Sequence, residues 1–312
     1  MSTQGKIKFA IIQMSMKAGD KEANIKKAER LIDQAVREYD PDIIGLPEFF
    51  STEYFPQYVD RKYFSYAEPI PGPTTERIGK KAKEHGIYII APIYEQAQRG
   101  LYYDSSPIIA PDGKVIGNAR KVELPNVWYK EGGLWANEEF YYAGGNLENA
   151  YPVFKTKLGN IGQIICWNRH FPENWRTLTT KGAEIIFIPV ASMGNFLSEM
   201  FSLEMRVLAY VHQCFAVVVN RVGREGEQTM YGGSHIVNPK GKLLAGPASD
   251  TEEAIFCSTI NLDEVDEARQ QIPFTKSFHT STLKTHLLYN NVIKPEPFAE
   301  TLQRVSEYGY AY

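Results

Sequence analysis

Apolar residues along this chain come in short runs rich in Ile, Val and Phe, separated by polar stretches whose apolar positions recur every three or four residues. Residues 8–14 read as a first strand. In 24–39 the positions Ile25, Ala28, Ile32 and Ala35 share one side, which predicts an amphipathic helix. Residues 42–46 form a second strand that stops abruptly at Pro47-Glu48. The pattern over 74–85 predicts a helix with Gly86 as its stop, followed by a strand over 87–94. Two further runs, 101–110 and 115–122, flank Pro111-Asp112-Gly113 and predict a hairpin. Residues 124–149, rich in Trp, Tyr, Gly, Asn and Glu, read as a long ordered loop, and loops of that length in compact domains usually carry function.

The second half repeats the rhythm: strands over 160–166, 184–190 and 215–220, helices over 172–181 and 196–212, a hairpin over 234–244 and a last strand over 254–260. Several of these runs are continuous rather than alternating, as in strands covered on both faces. The chain therefore reads as an α/β protein. No internal repeat and no Gly/Ser or Pro linker divides it, so 1–262 counts as a single domain. From 263 to 312 periodicity is weak and aromatics are many, which reads as an extension packing on the domain or on a partner subunit.

Composition narrows the classes. A 43% hydrophobic and 23% charged chain of 312 residues buries enough apolar surface to need no metal or disulfide staple. Net charge is −3 with the basic residues scattered, which argues against a nucleic-acid partner. The apolar runs are strand-sized, far short of a membrane span. The N-terminal residues are polar and lead straight into a strand, so no signal peptide is expected. Three widely spaced cysteines point to a reducing compartment, and the expected location is cytoplasmic. The histidines, at 85, 170, 212, 235, 279 and 286, lack metal-binding spacing, and no CxxC occurs, so neither a metal, a cofactor nor a thioredoxin-like role is expected.

Three polar residues sit where buried strands run out. Glu48 follows Leu46-Pro47, Lys121 ends the run 115–120, and Cys166 ends 161–165. Ligand sites in α/β sheets gather beyond the carboxyl ends of strands. A thiol is a weak nucleophile at neutral pH until a base or a cation assists it. A carboxylate can take its proton and pass it to a leaving amine, while an ammonium favours thiolate and stabilises an oxyanion. Taken singly, each has a plainer reading: a small buried hydrophobe for Cys166, a loop cap for Glu48, a solvated hairpin residue for Lys121. Cys214 and Cys257 lie in apolar strand runs and read as packing residues.

The local sequences decide between these readings. Leu46-Pro47-Glu48, Ala119-Arg120-Lys121-Val122 with Leu124-Pro125, and Ile165-Cys166 with Arg169 to Glu173 resemble the Glu–Lys–Cys triad segments of the nitrilase superfamily, the carbon–nitrogen hydrolases. Pro71-Gly72-Pro73, Asn220-Arg221-Val222-Gly223 and Tyr231-Gly232-Gly233-Ser234 follow in the family's order. The resemblance implies a four-layer α-β-β-α sandwich, subunits that pair as homodimers or higher homo-oligomers, and hydrolysis of a non-peptide C–N bond through a cysteine thioester. It implies a second active-site glutamate, matched to Glu138 with Glu139 beside it. Two positions depart: Glu123 stands where relatives commonly carry His, and Asn168 where relatives with the carbamoylase pattern commonly have Asp. Both place the substrate in doubt more than the reaction.

The stretch Arg169-His170-Phe171-Pro172-Glu173 is similar to that of enzymes acting on N-carbamoyl compounds, the β-ureidopropionase-like branch. The resemblance makes Arg169 a candidate carboxylate clamp; its plain alternative is an ion pair with Glu173. The backbone N–H of Trp167 is a candidate oxyanion donor. Asn195 is a candidate for the carbamoyl group or a helix cap, and Trp128, Tyr129, Trp135 and Tyr142 for the pocket wall or a subunit contact. An aliphatic amidase, a nitrilase and a non-catalytic protein that keeps the fold stand as the other readings.

Overall fold

The computed structural model describes residues 5–145 and 150–277. The first half contains β1 (Lys6–Gln13), α1 (Lys21–Tyr39), β2 (Ile43–Gly45), α2 (Pro73–His85), β3 (Tyr88–Ile90), β4 (Ile93–Gln98), β5 (Leu101–Ile109) and β6 (Val115–Arg120). The hairpin β7 (Asn126–Tyr129) and β8 (Leu134–Asn137) leads into the single-turn helix α3 (Glu138–Tyr141). Then come β9 (Val153–Thr156), β10 (Gly159–Gln163), α4 (Pro172–Thr180), β11 (Ile185–Val190), α5 (Ser198–His212) and β12 (Phe215–Asn220). The chain continues with β13 (Val222–Glu225), β14 (Gln228–Tyr231), β15 (His235–Val237), β16 (Leu243–Ala245), β17 (Ala254–Asn261) and α6 (Asp263–Gln271). It divides into two compact units, Met1–Ile272 and Pro273–Tyr312; of the second, the short helix Phe274–Ser277 is described.

Two sheets form the centre. In one, the strands lie in the order β17-β1-β2-β3-β5-β4 with β6 on β5; in the other, β16-β15-β12-β11-β10-β9. The inner pairs β1–β2–β3 and β10–β11–β12 are parallel. Parallel neighbours need crossovers, and the helices supply them. α1 and α2 cover one outer face, where Ala28, Leu31, Ile32, Ile78 and Ala82 pack on Ala10, Ile12, Ile44 and Ile89. α4 and α5 cover the other, with Trp175, Leu178, Met205 and Leu208 on Ile164, Ile186, Ile188 and Val218. Between the sheets, Phe9, Ile11, Ile43, Ile90 and Ile108 meet Ile161, Phe187, Phe215, Val217 and Val219. This is the expected α-β-β-α sandwich. The alternation inside Ile185–Val190 shows why its strand is apolar throughout: Ile185 and Phe187 face the other sheet, Ile186 and Ile188 the helices.

The structure departs from the pattern-based reading in four places. The strand expected over 87–94 is two, β3 and β4, which pair with different stretches of β5. The long loop over 124–149 contains the β7–β8 hairpin and α3. The strand expected to end at Cys166 ends at Gln163, and Cys166 opens a 3₁₀ turn, Cys166–His170. Asp263–Gln271 is a helix with Val265 and Ala268 buried; its polar composition hid a narrow apolar stripe.

Candidate active site

The catalytic candidates lie at strand ends for physical reasons that begin with packing. At Gly45 the two sheets approach so closely that a Cβ would sit 2.2 Å from the Phe187 ring. The chain then turns through Leu46-Pro47 and presents Glu48, while Phe49 takes a left-handed backbone, φ 49°. Arg221 holds this turn from beneath. Its guanidinium donates to the carbonyls of Glu48 (3.3 Å) and Thr52 (2.6 Å) and is paired with buried Glu225. Lys121 follows β6, with its N–H on Asp104 O (2.9 Å) and its own carbonyl accepting from Gly145 (2.7 Å).

Cys166 also has a left-handed backbone, φ 47°, a conformation that costs a β-carbon-bearing residue roughly 1–2 kcal/mol. The surrounding bonds hold it there. Arg169 Nη1 donates to Cys166 O (3.0 Å), Trp175 Nε1 to Arg169 O (2.8 Å), and Asn174 Nδ2 to Asn168 O (2.9 Å). Asn168 accepts from the Val122 N–H (2.8 Å) and donates to Glu123 O (2.6 Å). Glu123 in turn accepts from Tyr151 and Asn174. The two departures from the family pattern are thus partners in one brace tying the lysine segment to the cysteine turn, and neither lines the pocket.

Lys121 Nζ stands 2.8 Å from Glu48 Oε1, 2.9 and 2.8 Å from the two Glu138 oxygens, and 3.3 Å from Asp104 Oδ2. All four side chains have no solvent exposure. Tyr54 donates to Glu138 Oε1 (2.9 Å), and the Tyr142 ring packs on Phe49 and Tyr94 behind the cluster. Burial works against the charge on Lys121, but Glu138 and Glu48 hold it charged, well above the usual lysine range. Burial likewise pushes Glu48 up; Lys121 and hydrogen bonds from Asp104 and Cys166 outweigh it and leave Glu48 below its ordinary value. Burial, and then the charge of Glu48, push the Cys166 thiol up to about 12. The resting sulfur is therefore a thiol beside an ionised base. The ammonium does pull toward thiolate, as expected, but burial and the Glu48 charge outweigh it.

Cys166, Glu138, Tyr54, Trp167, Arg169, His170, Val127, Ala136, Met193 and Leu197 contribute to the lining of a small, partly enclosed pocket. The other wall candidates are placed differently. Period two in the β7–β8 hairpin puts Val127 opposite Ala136 on the pocket side and Trp128 opposite Trp135 on the other. Trp128 is 64% exposed, with Lys130 over its ring, and Trp135 is buried against Gln57 O. Neither Trp128 nor Tyr142 lines the pocket. Glu138 enters the cluster while Glu139 stays at the surface. Arg169 pairs with Glu204 of α5 (3.7 Å) instead of Glu173, and His170 shares that carboxylate (2.7 Å). Asn195 lies in a 3₁₀ turn, Asn195–Leu197, and its side chain falls outside the described part. Sequence reasoning missed Asp104, Tyr54 and Glu204. Only Asp104 left a signal, an acid inside an otherwise buried strand.

A buried thiol, carboxylate and ammonium meet beside a pocket of an α-β-β-α sandwich, the residue set of a cysteine hydrolase. The sequence profile of the carbon-nitrogen hydrolase family matches residues 8–270, so the chain belongs to that family, within the nitrilase superfamily. It is an enzyme that hydrolyses carbon–nitrogen bonds. It is similar to N-carbamoylputrescine amidase of Solanum lycopersicum, 33% identical over 80% of this chain and 85% of that one. β-Ureidopropionase of Arabidopsis thaliana is 35% identical over 53% of this chain and 39% of that one. The carbon-nitrogen hydrolase of Helicobacter pylori G27 superposes with a TM-score of 0.83 at 25% identity, covering 90% of this chain and 98% of that one. Among the described residues no helix is long and apolar enough to cross a membrane.

Proposed function

We propose that this enzyme hydrolyses N-carbamoyl amines to the free amine, ammonia and carbon dioxide. The observation that carries this reading is the Lys121 ammonium held between Glu48 and Glu138, with the Cys166 thiol at the pocket surface. As the sulfur attacks the ureido carbon, its proton passes to Glu48. Lys121 and the Trp167 backbone N–H hold the oxyanion. Glu48 hands the proton to the leaving NH₂ group, ammonia departs, and a thiocarbamate ester remains on Cys166. Glu48 then draws a proton from water as its oxygen attacks that carbon; the sulfur leaves and takes the proton. The carbamic acid released loses carbon dioxide. Glu138 keeps Lys121 in place and orients the substrate NH₂.

The pocket's charge selects the rest of the substrate. Among the lining residues the cationic side chain is Arg169, which Glu204 engages together with the neighbouring His170 ring. Arg169 is moreover bonded to Cys166 O, so we read it as a brace for the nucleophile turn. A neutral or cationic amine fits such a wall better than an acid does, in keeping with the name of the tomato relative. Ammonia release should be compared for N-carbamoylputrescine, N-carbamoyl-β-alanine, a simple aliphatic amide and a nitrile. The first should give the highest kcat/KM, and Cys166→Ala should release none while unfolding like wild type. Full turnover by Cys166→Ala ends the proposal; a preference for the acidic compound that vanishes in Arg169→Ala restores the carboxylate clamp.

α5 also presents Met200, Leu203 and Val207 outward, spaced three and four apart and 53%, 47% and 50% exposed. We read that stripe as the seat of a second copy of the chain. All three cysteines are free, in keeping with a cytoplasmic location.

A further inference from the structure

Three carboxyl groups and one ammonium share a buried site, and their count does not balance. With Glu48, Asp104 and Glu138 all ionised against Lys121, the cluster would carry two uncompensated negative charges, a state that burial penalises heavily. A lysine has three N–H donors, and here they face six carboxyl oxygens. Its shortest contacts, 2.8 Å each, go to Glu48 and Glu138, while Asp104 is the farthest at 3.3 Å. The oxygens left without a donor include Glu48 Oε2 and both oxygens of Asp104. One proton on Asp104 lowers the excess to one negative charge and supplies a missing donor, because its O–H then donates to Glu48.

We propose that Asp104 is a neutral positioning residue, donating a hydrogen bond to Glu48 and so fixing that carboxylate between the lysine and the thiol. The inference rests on Glu48 being the base of the reaction. Asp104 sits in the interior of β5, a strand flanked by β4 on one side and β6 on the other, which makes it a rigid mount. Its carbonyl accepts the Lys121 N–H at 2.9 Å, so one residue anchors the lysine through the main chain and the base through the side chain. The groups around it are Glu48, Lys121, Glu138 and Tyr142. Across the strand pair, Tyr94 sends its hydroxyl away to Tyr141 O. Burial, and then the neighbouring Glu48 charge, hold the Asp104 carboxyl well above its ordinary range, in the direction the geometry requires.

Asparagine reproduces a protonated aspartate: its amide NH₂ donates to Glu48 and its oxygen accepts from Lys121. Alanine removes both. The test compares Asp104→Asn, Asp104→Ala and Glu48→Gln in the full chain. Three readouts serve: ammonia release from N-carbamoylputrescine, the rate of Cys166 alkylation by iodoacetamide, and the infrared band of a protonated carboxylic acid at pH 7. Asp104→Asn should keep both rates within about threefold and lose the infrared band, whereas Asp104→Ala should lower both by about 10- to 100-fold, the scale of a lost buried bond to a charged group. If Asp104→Asn falls as far as Asp104→Ala, or the band survives in Asp104→Asn, the inference is overturned. Should Asp104→Ala fail to fold, Asp104→Asn and its band decide alone. A Glu48→Gln enzyme with wild-type rates would instead remove the base assignment, a separate failure.

Discussion

At the level of single residues, the Cys166 sulfur rests protonated beside an ionised Glu48. Lys121 has a carboxylate on either side, and its pull on the Cys166 thiol is outweighed by burial and by Glu48, which hold the thiol up to about 12. A protonated sulfur beside an ionised carboxylate is chemically quiet toward stray electrophiles yet one transfer from a nucleophile. The same feature leaves a mark on stability. A thiol that ionises near 9 in the unfolded chain and near 12 in the fold contributes stability that is whole below pH 9 and is lost as pH rises toward 12. Wild type should therefore lose about 1 kcal/mol more than Cys166→Ala between pH 8 and 10, read from urea midpoints. Equal losses in the two proteins would contradict a buried, protonated sulfur.

At the level of elements, the triad's geometry depends on segments far from one another in sequence. Arg221, just past β12, holds the turn after β2, in which Phe49 is left-handed, and is itself neutralised by Glu225. Replacing Arg221 with Met leaves Glu225 buried without its cation, with the Tyr54 N–H still donating to it, which costs about 3–5 kcal/mol. Arg221→Met/Glu225→Gln should recover much of that stability in thermal unfolding, yet turnover should stay depressed because nothing then grips the carbonyls of Glu48 and Thr52. Full recovery of both would mean that Arg221 serves stability alone. The brace through Asn168 and Glu123 has the same character: it joins the end of β6 to the turn after β10.

At the level of the whole molecule, two sheets facing each other bring both sets of strand ends to one place, and the β7–β8 hairpin and the turn before α5 wall it in. The proposed subunit contact runs along α5, which also carries Glu204, the partner of Arg169 and His170. Assembly and pocket would then share a helix. Leu203→Glu with Val207→Glu should convert the assembly to monomers in sedimentation velocity, with turnover reduced as α5 loosens. A wild-type protein that sediments as a monomer would remove this part of the reading.

Glu48, Lys121 and Cys166 were legible because each lies in a short motif at the end of an apolar run, and apolar runs announce strand ends. The continuous Ile/Val/Phe stretches likewise announced strands buried on both faces, hence layers of helix on either side. What the linear order does not contain is partnership. Asp104 stands among Ser and Tyr in a strand whose facing side only the second sheet defines. Trp128 and Val127 exchange roles by one step of a strand register that composition alone had hidden as loop. Glu138 rather than Glu139 meets Lys121 because one turn of α3 aims it inward, and Arg169 meets Glu204 because α5 crosses its turn. By itself the sequence determined the fold class and marked the candidate reacting groups, since those follow from local motifs, periodicity and residue chemistry. Tertiary structure alone decided which group holds which proton, because protonation depends on burial and on distances between residues that only folding brings together.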